Sequence, residues 1–176
     1  MILYLVRHAS AGQRKSSDLQ DQRRPLDDDG IQQCREMGRA LAAFNLDVEA
    51  IYSSPLKRAT QTASLLANEM GHEGKVQLTP ALLPEASFAD FQRLLDKNLR
   101  LESMMVVGHN PSLSAFTSLL LSDGAIESAV DLKKGATAKL EITNLRKPAT
   151  LSWCLTPKLV HAVYEAAPQR AKATRK

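Results

Sequence analysis

The chain has 176 residues, of which 44% are hydrophobic and 24% are charged, a composition that is ordinary for a globular domain and excludes a fibrous or low-complexity protein. The net charge of +4 comes from residues 168–176, which contain four basic side chains and no acid. No apolar run approaches the roughly 20 residues that span a bilayer, and no pattern indicates a nucleic-acid-binding module. We therefore expect one domain over residues 1–167, a disordered basic tail over 168–176, and binding to neither membranes nor nucleic acids.

The first residues are apolar, but Arg7 interrupts them after six positions, which excludes the long apolar core of a signal peptide. A cytoplasmic location is the resulting expectation. The two cysteines, Cys34 and Cys154, lie far apart in the sequence, and in an unexported chain they are expected to be reduced and packed.

Strand and helix patterns alternate along the chain. In the first half, they predict a strand over 2–6, a polar loop over 10–26, a helix from Asp27–Asp29 to Phe44, a strand over 50–53, a helix from Pro55 to Met70 and a strand over 76–78. In the second half, they predict a helix over 88–98, a strand over 104–107, a helix over 113–121, strands over 138–143 and 150–155, and a helix over 157–166.

The alternation predicts an α/β protein with helices on both faces of a central, mainly parallel sheet, which is a three-layer α/β/α sandwich. The last two strands are joined by a short loop at 144–148 and are expected to form an antiparallel pair at the C-terminal end of the sheet.

Three polar clusters follow predicted strands. They are Arg7-His8, the segment from Ser53 to Arg58, and the segment from Gly108 to Pro111, and the last two open helices. Because the ends of parallel strands meet at one edge of a sheet, all three can converge on one cavity. Arginines and helix N-termini both favour anions, and a neutral imidazole can attack phosphorus, so a phosphoryl group is the expected occupant. Arg7-His8 alone would equally fit two polar surface residues at the end of a strand.

These motifs resemble the histidine phosphatase superfamily, which includes the phosphoglycerate mutases. The resemblance rests on Leu5–Ala9, on Ser54–Thr62 with its Ser-Pro and Arg-Ala-x-Gln-Thr elements, and on Gly108–Pro111. Within that superfamily, the short length and Arg24-Pro25-Leu26 with Gly30 resemble the SixA-type phosphohistidine phosphatases. Ala9 stands where many members have glycine, a position that needs a small residue.

The resemblance implies a phosphoglycerate mutase-like fold and a two-step reaction without metal or cofactor. His8 would attack phosphorus, and water would then hydrolyse the phosphohistidine. Arg7, Arg58 and His109 would hold the phosphoryl oxygens, and Asn110 is expected to join them in binding phosphate. The implied substrate is phosphohistidine in a protein, such as a phosphotransfer domain.

Two guanidinium groups near His8 would oppose its protonation by on the order of 3 kcal/mol each at about 5–6 Å and an effective dielectric near 20. We therefore expect His8 to be neutral at pH 7, whereas bound phosphate would favour protonation of His109.

The group that protonates the leaving atom is less clearly marked. Glu85 matches the position of the acid in many members of the superfamily, although a solvated loop carboxylate is an equal alternative, and Asp18 or Asp21 could face the pocket instead. Phosphorylated imidazole leaves more easily than an alkoxide, so a phosphohistidine phosphatase needs less proton donation.

Two other functions remain open. A small-molecule phosphomonoesterase would use the same residues and a working acid, and a phosphate-binding module would not turn its ligand over. The short segment from Thr79 to Ser103 favours an open pocket that admits a side chain of another protein.

Overall fold

Helices and strands alternate in a computed structural model that describes residues 1–126 and 128–166. In the N-terminal half, the elements are β1 (Ile2–Arg7), α1 (Asp18–Gln22), α2 (Asp28–Ala43), β2 (Ala50–Ser53), α3 (Lys57–Met70), β3 (Gln77–Leu78) and a 3-10 turn (Pro80–Leu82). They continue with α4 (Phe88–Lys97), β4 (Ser103–Gly108), α5 (Ser112–Leu121), β5 (Thr137–Glu141), β6 (Thr150–Leu155) and α6 (Pro157–Ala166).

The strands form one sheet in the order β3-β2-β4-β1-β5-β6. The pairs β2–β3, β2–β4 and β1–β4 are parallel, whereas β5 runs antiparallel to both β1 and β6. The mainly parallel sheet with an antiparallel C-terminal end is therefore confirmed.

Side chains of β1 alternate between two apolar cores because successive residues of a strand point to opposite faces. Leu3 and Leu5 pack with apolar residues of α4 and α5, whereas Tyr4 and Val6 pack with residues of α2, α3 and α6. The sheet thus lies between two helical layers, which confirms the α/β/α sandwich.

The prediction of a continuous loop over residues 10–26 is wrong, because α1 lies within it. This helix has five residues, buries none of its side chains and lacks an N-cap hydrogen bond, so apolar periodicity could not have indicated it. Contacts of Asp21 with Arg24 and Arg58 hold the helix in place.

The predicted tail lies outside the described residues, and the domain boundary stays a prediction. Both cysteines are free thiols; Cys34 is buried as expected, but Cys154 is exposed on β6. Within residues 1–126 and 128–166, no helix is long and apolar enough to cross a membrane.

The strand register brings the three polar clusters to one edge of the sheet. Arg7 at the end of β1 is paired with Gly108 at the end of β4, and Ser53 at the end of β2 is paired with Val107. Since these strands are parallel, the residues that follow them emerge side by side.

Candidate active site

An open cavity of about 1270 Å³ lies at this edge of the sheet. All six predicted site residues line it, namely Arg7, His8, Arg58, Glu85, His109 and Asn110. Asp18 and Asp21 also reach the cavity wall, together with the basic residues Arg14, Arg23, Arg24, Lys57 and Lys134.

His8 is held by its own backbone and by its neighbour. Its peptide N–H donates to the carbonyl of Gly108 at 3.0 Å, which extends the β1–β4 pairing by one residue. Its ring Nδ1 lies 2.7 Å from the carbonyl oxygen of Ala9. A carbonyl oxygen can only accept, so Nδ1 carries the proton, and Nε2 is left with a free electron pair.

Burial, more than charge, keeps His8 neutral. Only 7% of the residue is exposed, and desolvation is the largest cause that lowers its pKa to about 3. The positive charges of Arg58, Arg7 and Arg24 lower the pKa further, while the hydrogen bond to Ala9 opposes the shift. The expected neutrality at pH 7 agrees with this direction, but its main cause is desolvation and not the charge of the arginines.

Arg7 and Arg58 flank His8, and each uses only part of its guanidinium group. Arg7 Nη1 donates to the carbonyl of Leu132 at 2.8 Å, and Arg58 Nη1 donates to the carbonyl of Asp21 at 2.9 Å. The buried Nε atoms of both arginines have no hydrogen-bond partner among the described residues. Buried donors of this kind need a partner, which a ligand or a water molecule can supply.

His109 faces His8, with ring centroids 4.9 Å apart and only 1% of the residue exposed. Desolvation lowers its pKa to about 2, and the neighbouring His8 and Arg58 add to the shift. The ring is therefore neutral and has one N–H.

Ser54 decides which nitrogen of His109 carries that proton. The Ser54 hydroxyl oxygen lies 2.8 Å from His109 Nε2 and accepts the Leu56 N–H at 3.3 Å. The hydroxyl is fully buried, and Nε2 is its only acceptor within the described residues. Ser54 therefore donates to Nε2, and the proton sits on Nδ1, which is buried without a partner in the same part of the chain.

An ion-pair network connects α1 to the cavity. Asp21 accepts from Arg24 Nε at 2.8 Å, and its other oxygen lies 3.4 Å from Arg58 Nη1. The hydrogen bond from Arg24 is the largest cause that lowers the pKa of Asp21 to about 2. In the sequence, Arg24 is only part of the pattern that resembles the SixA-type proteins, and nothing in the local pattern indicates that it reaches the cavity.

The loop after His8 is tied to the start of α2. Asp27 is the N-cap of α2, accepting from Gly30 N, and it also accepts from the Ser10 hydroxyl and from Gly12 N. A Cβ on Gly30 would lie 2.0 Å from the Ser10 carbonyl oxygen, so a larger residue would displace this loop. Ala9, which is fully buried, is held by its N–H bond to Thr62.

The structure gives the Asn110 amide other partners than the predicted phosphate. Its nitrogen donates to the Leu132 carbonyl at 3.0 Å, and its oxygen accepts from the Ser114 hydroxyl at 2.8 Å. Glu85 is exposed on the cavity wall, in a loop whose Leu83 carbonyl accepts from the Ser112 hydroxyl. Both proposed roles stay predictions.

Comparisons with known sequences match the chain to one family model and to curated relatives. A family model described as histidine phosphatase superfamily (branch 1) matches residues 3–101. An uncharacterized protein of Picosynechococcus sp. is 31% identical over 137 residues, which cover 76% of this chain and 81% of that protein. A 2,3-bisphosphoglycerate-dependent phosphoglycerate mutase of Azorhizobium caulinodans is 33% identical over 94 residues, or 53% of this chain, and the match spans only 46% of the mutase.

Solved structures share the fold at low sequence identity. The protein histidine phosphatase SixA complexed with tungstate superimposes with a TM-score of 0.80 at 22% identity, covering 91% of this chain and 99% of that one. A mycobacterial glucosyl-3-phosphoglycerate phosphatase in complex with VO3 gives a TM-score of 0.66 at 16% identity, covering 86% of this chain and 97% of that one.

Proposed function

The chain belongs to the histidine phosphatase superfamily, and from this premise we propose that it hydrolyses phosphohistidine in a protein through a covalent intermediate on His8. The proposal is carried by one arrangement: a neutral, buried His8 with Nε2 free, beside three buried nitrogen atoms without partners among the described residues. Those nitrogens are Arg7 Nε, Arg58 Nε and His109 Nδ1. They suit the oxygens of one phosphoryl group.

In the first step, the electron pair of His8 Nε2 forms a bond to phosphorus while the bond from phosphorus to the substrate nitrogen breaks. The substrate imidazole, which carries a proton on its other ring nitrogen, keeps the electron pair of the broken bond and leaves as a neutral ring. The Nδ1–H···O bond to Ala9 holds the imidazole in the attacking tautomer. In the second step, water attacks phosphorus, the bond to Nε2 breaks, and inorganic phosphate leaves with the proton that water gives up. Arg7, Arg58 and His109 stabilise the equatorial oxygens in both steps.

The protein substrate is supported by the openness of the site and by likeness in fold. The cavity of about 1270 Å³ exceeds the roughly 300–1000 Å³ usual for small-molecule sites, so it can admit a side chain that projects from another protein. The similarity in fold to the protein histidine phosphatase SixA points to the same class. A phosphotransfer domain is the proposed kind of partner, and the cytoplasmic location stays a prediction.

The test is to trap the covalent intermediate with a synthetic phosphohistidine peptide. Rapid acid-free quenching should give an adduct 80 Da heavier that is labile to acid, stable to base and located on His8 (about 80 Da is the mass of one added PO3H group). The His8→Ala variant should form no adduct, whereas His161→Ala, which changes an exposed residue away from the cavity, should behave like the wild type. A wild type that binds the peptide but shows neither adduct nor turnover would leave a phosphate-binding module as the function.

A small-molecule phosphomonoesterase is the second candidate, and the position of Glu85 on the cavity wall favours it. An alkoxide leaving group needs a proton donor more than an imidazole does. We expect Glu85→Gln to reduce kcat on alkyl phosphates about 100-fold and on phosphohistidine less than tenfold, within the usual range for general acids. An equal loss on both substrates would contradict the protein-phosphohistidine assignment.

A further inference from the structure

The cavity carries more positive charge than a phosphoryl group requires. Seven basic side chains line it, namely Arg7, Arg14, Arg23, Arg24, Lys57, Arg58 and Lys134, against the three acids Asp18, Asp21 and Glu85. The rest of the surface has no such excess, because basic and acidic residues are equal in number over residues 1–167.

Four of the seven cations already have a role or a partner. Arg7 and Arg58 flank His8, Arg24 is paired with Asp21 at 2.8 Å, and the guanidinium of Arg14 lies 3.8 Å from the carboxylate of Asp18. A phosphoryl dianion would match the two charges of Arg7 and Arg58. The remaining cations are therefore not explained by the phosphate.

Those remaining cations are Arg23, Lys57 and Lys134, which we call the basic rim. All three are exposed, and none forms an ion pair with another residue of segments 1–126 and 128–166. They come from three separate parts of the chain: the end of α1, the start of α3 and the loop before β5. Of the three acids that line the cavity, Asp18 and Asp21 are paired with arginines, which leaves the exposed carboxylate of Glu85. Asp27 is also near enough to Lys134 for that charge to help lower its pKa, although the two do not form an ion pair.

We propose that the basic rim binds acidic side chains that surround the phosphohistidine on the surface of the substrate protein. The inference rests on the proposed function and deepens it by naming the surface that the partner presents. The three side chains are exposed and come from three separate parts of the chain, so a partner with a broad acidic surface suits them better than a small polyanion inside the cavity. An acidic protein face can reach all three at once while its phosphohistidine enters between Arg7 and Arg58.

The expected effect is moderate and depends on salt. Exposed ion pairs contribute little individually, and three of them correspond to about tenfold in kcat/KM at low ionic strength. The Debye length falls from about 10 Å at 0.1 M salt to about 3 Å at 1 M, so most of this gain should vanish in concentrated salt. The gain should appear in KM and in the association rate rather than in kcat.

The experiment compares two synthetic peptides that differ only beside a central phosphohistidine. One has Glu at the four flanking positions, and the other has Gln at the same positions. For the wild type, we expect kcat/KM to be about tenfold higher on the Glu peptide at low salt and nearly equal on both peptides in 1 M NaCl.

The variant Arg23→Gln/Lys57→Gln/Lys134→Gln should bring the Glu-to-Gln peptide ratio close to one. The matched control is Lys75→Gln/Arg100→Gln/Lys158→Gln, which removes the same number of charges from exposed residues outside the cavity. The control should keep the wild-type ratio. A single Lys57→Glu change should lower the ratio and raise hydrolysis of a third peptide with flanking lysines, which checks that charge and not folding is responsible.

The outcomes separate the two proposals. If the wild type hydrolyses both peptides equally well at low salt, the basic rim does not bind the acidic side chains beside the phosphohistidine, although the proposed function stands. If the rim variant loses as much on the Gln peptide as on the Glu peptide, the cations serve the phosphoryl group itself and the docking surface is wrong. If neither peptide is hydrolysed, the proposed function fails and this inference fails with it.

Discussion

The inner part of the cavity and its mouth both hold side chains that can carry a positive charge, but those inside are buried and those at the mouth are exposed. Inside, His8 and His109 are buried, and their pKa values are lowered to about 3 and about 2. At the mouth, Arg23, Lys57 and Lys134 stand in solvent. Burial fixes protonation states and orients donors toward one small group, whereas exposed charge acts weakly and over a longer range.

Burial of polar groups also lowers the stability of the folded protein, and this applies only to the inner part of the cavity. Buried donors without a partner, such as Arg58 Nε, destabilise the folded protein until a ligand satisfies them. Exposed lysines at the mouth carry no such penalty. Substitutions that remove a buried donor inside the cavity are therefore expected to raise stability and lower activity. Substitutions at the mouth should change both only a little.

Replacing Arg58 should give the largest effect. Arg58→Ala removes a buried donor and a charge beside His8, and the loss of one such donor lowers kcat about 10²- to 10³-fold. Its neighbour Lys57 lies at the mouth, and Lys57→Ala should lower kcat/KM on free phosphohistidine less than about tenfold. Steady-state kinetics and inhibition by inorganic phosphate measure both. Equal losses of kcat/KM in the two variants would contradict the different roles assigned to the inner site and the mouth.

Acid should destabilise the protein through the two inner histidines. Their pKa values are lower in the folded state than the usual 6.5, so the unfolded chain binds more protons and stability falls as the pH drops from about 6.5 toward 3. Each histidine accounts for about 2 kcal/mol between pH 7 and pH 5. His109→Gln should therefore lose about 2 kcal/mol less over this interval than the wild type, measured by urea unfolding. Parallel pH dependences would show that His109 is not buried in its neutral form.

Removing the Ser54 hydroxyl should give a smaller effect. Without it, His109 Nε2 has no donor, so the tautomer with the proton on Nδ1 is no longer enforced. We expect Ser54→Ala to lower kcat about tenfold, of the order of one neutral hydrogen bond. Nitrogen NMR shifts of the His109 ring report the tautomer directly. An unchanged ring spectrum together with unchanged kcat would assign Ser54 a packing role only.

Most of the fold could be predicted from the sequence because its signals are local. The apolar run before Arg7 and the helical spacing after Asp27 each mark one element that the structure contains. The convergence of three strand ends followed from parallel topology alone. For that reason, the five predicted site residues in those clusters line one cavity, and Glu85, which the resemblance predicted, lines it as well.

Other features depend on contacts between distant segments of the chain, so no local sequence pattern could predict them. Helix α1 is held by the contacts of Asp21 with Arg24 and Arg58, and the latter lies 37 residues further along the chain. The Asn110 amide finds its partner in Leu132, within a loop whose conformation the sequence does not indicate. The main cause of the lowered His8 pKa was missed for the same reason, since burial is a property of the assembled layers.

The two sides of the phosphate site, the strand ends at His8 and the helix α1 that holds Arg58, are expected to open at different rates. The amides of Arg7 and His8 are hydrogen-bonded to Ala136 and Gly108 at the ends of the central strands, so their exchange with solvent deuterium should require opening of the sheet. Asp21, which holds Arg58, belongs to a five-residue helix that buries no side chain and should exchange by local opening. The attacking nitrogen is thus held in place before substrate arrives, whereas the guanidinium of Arg58 is held by a helix that should open more readily.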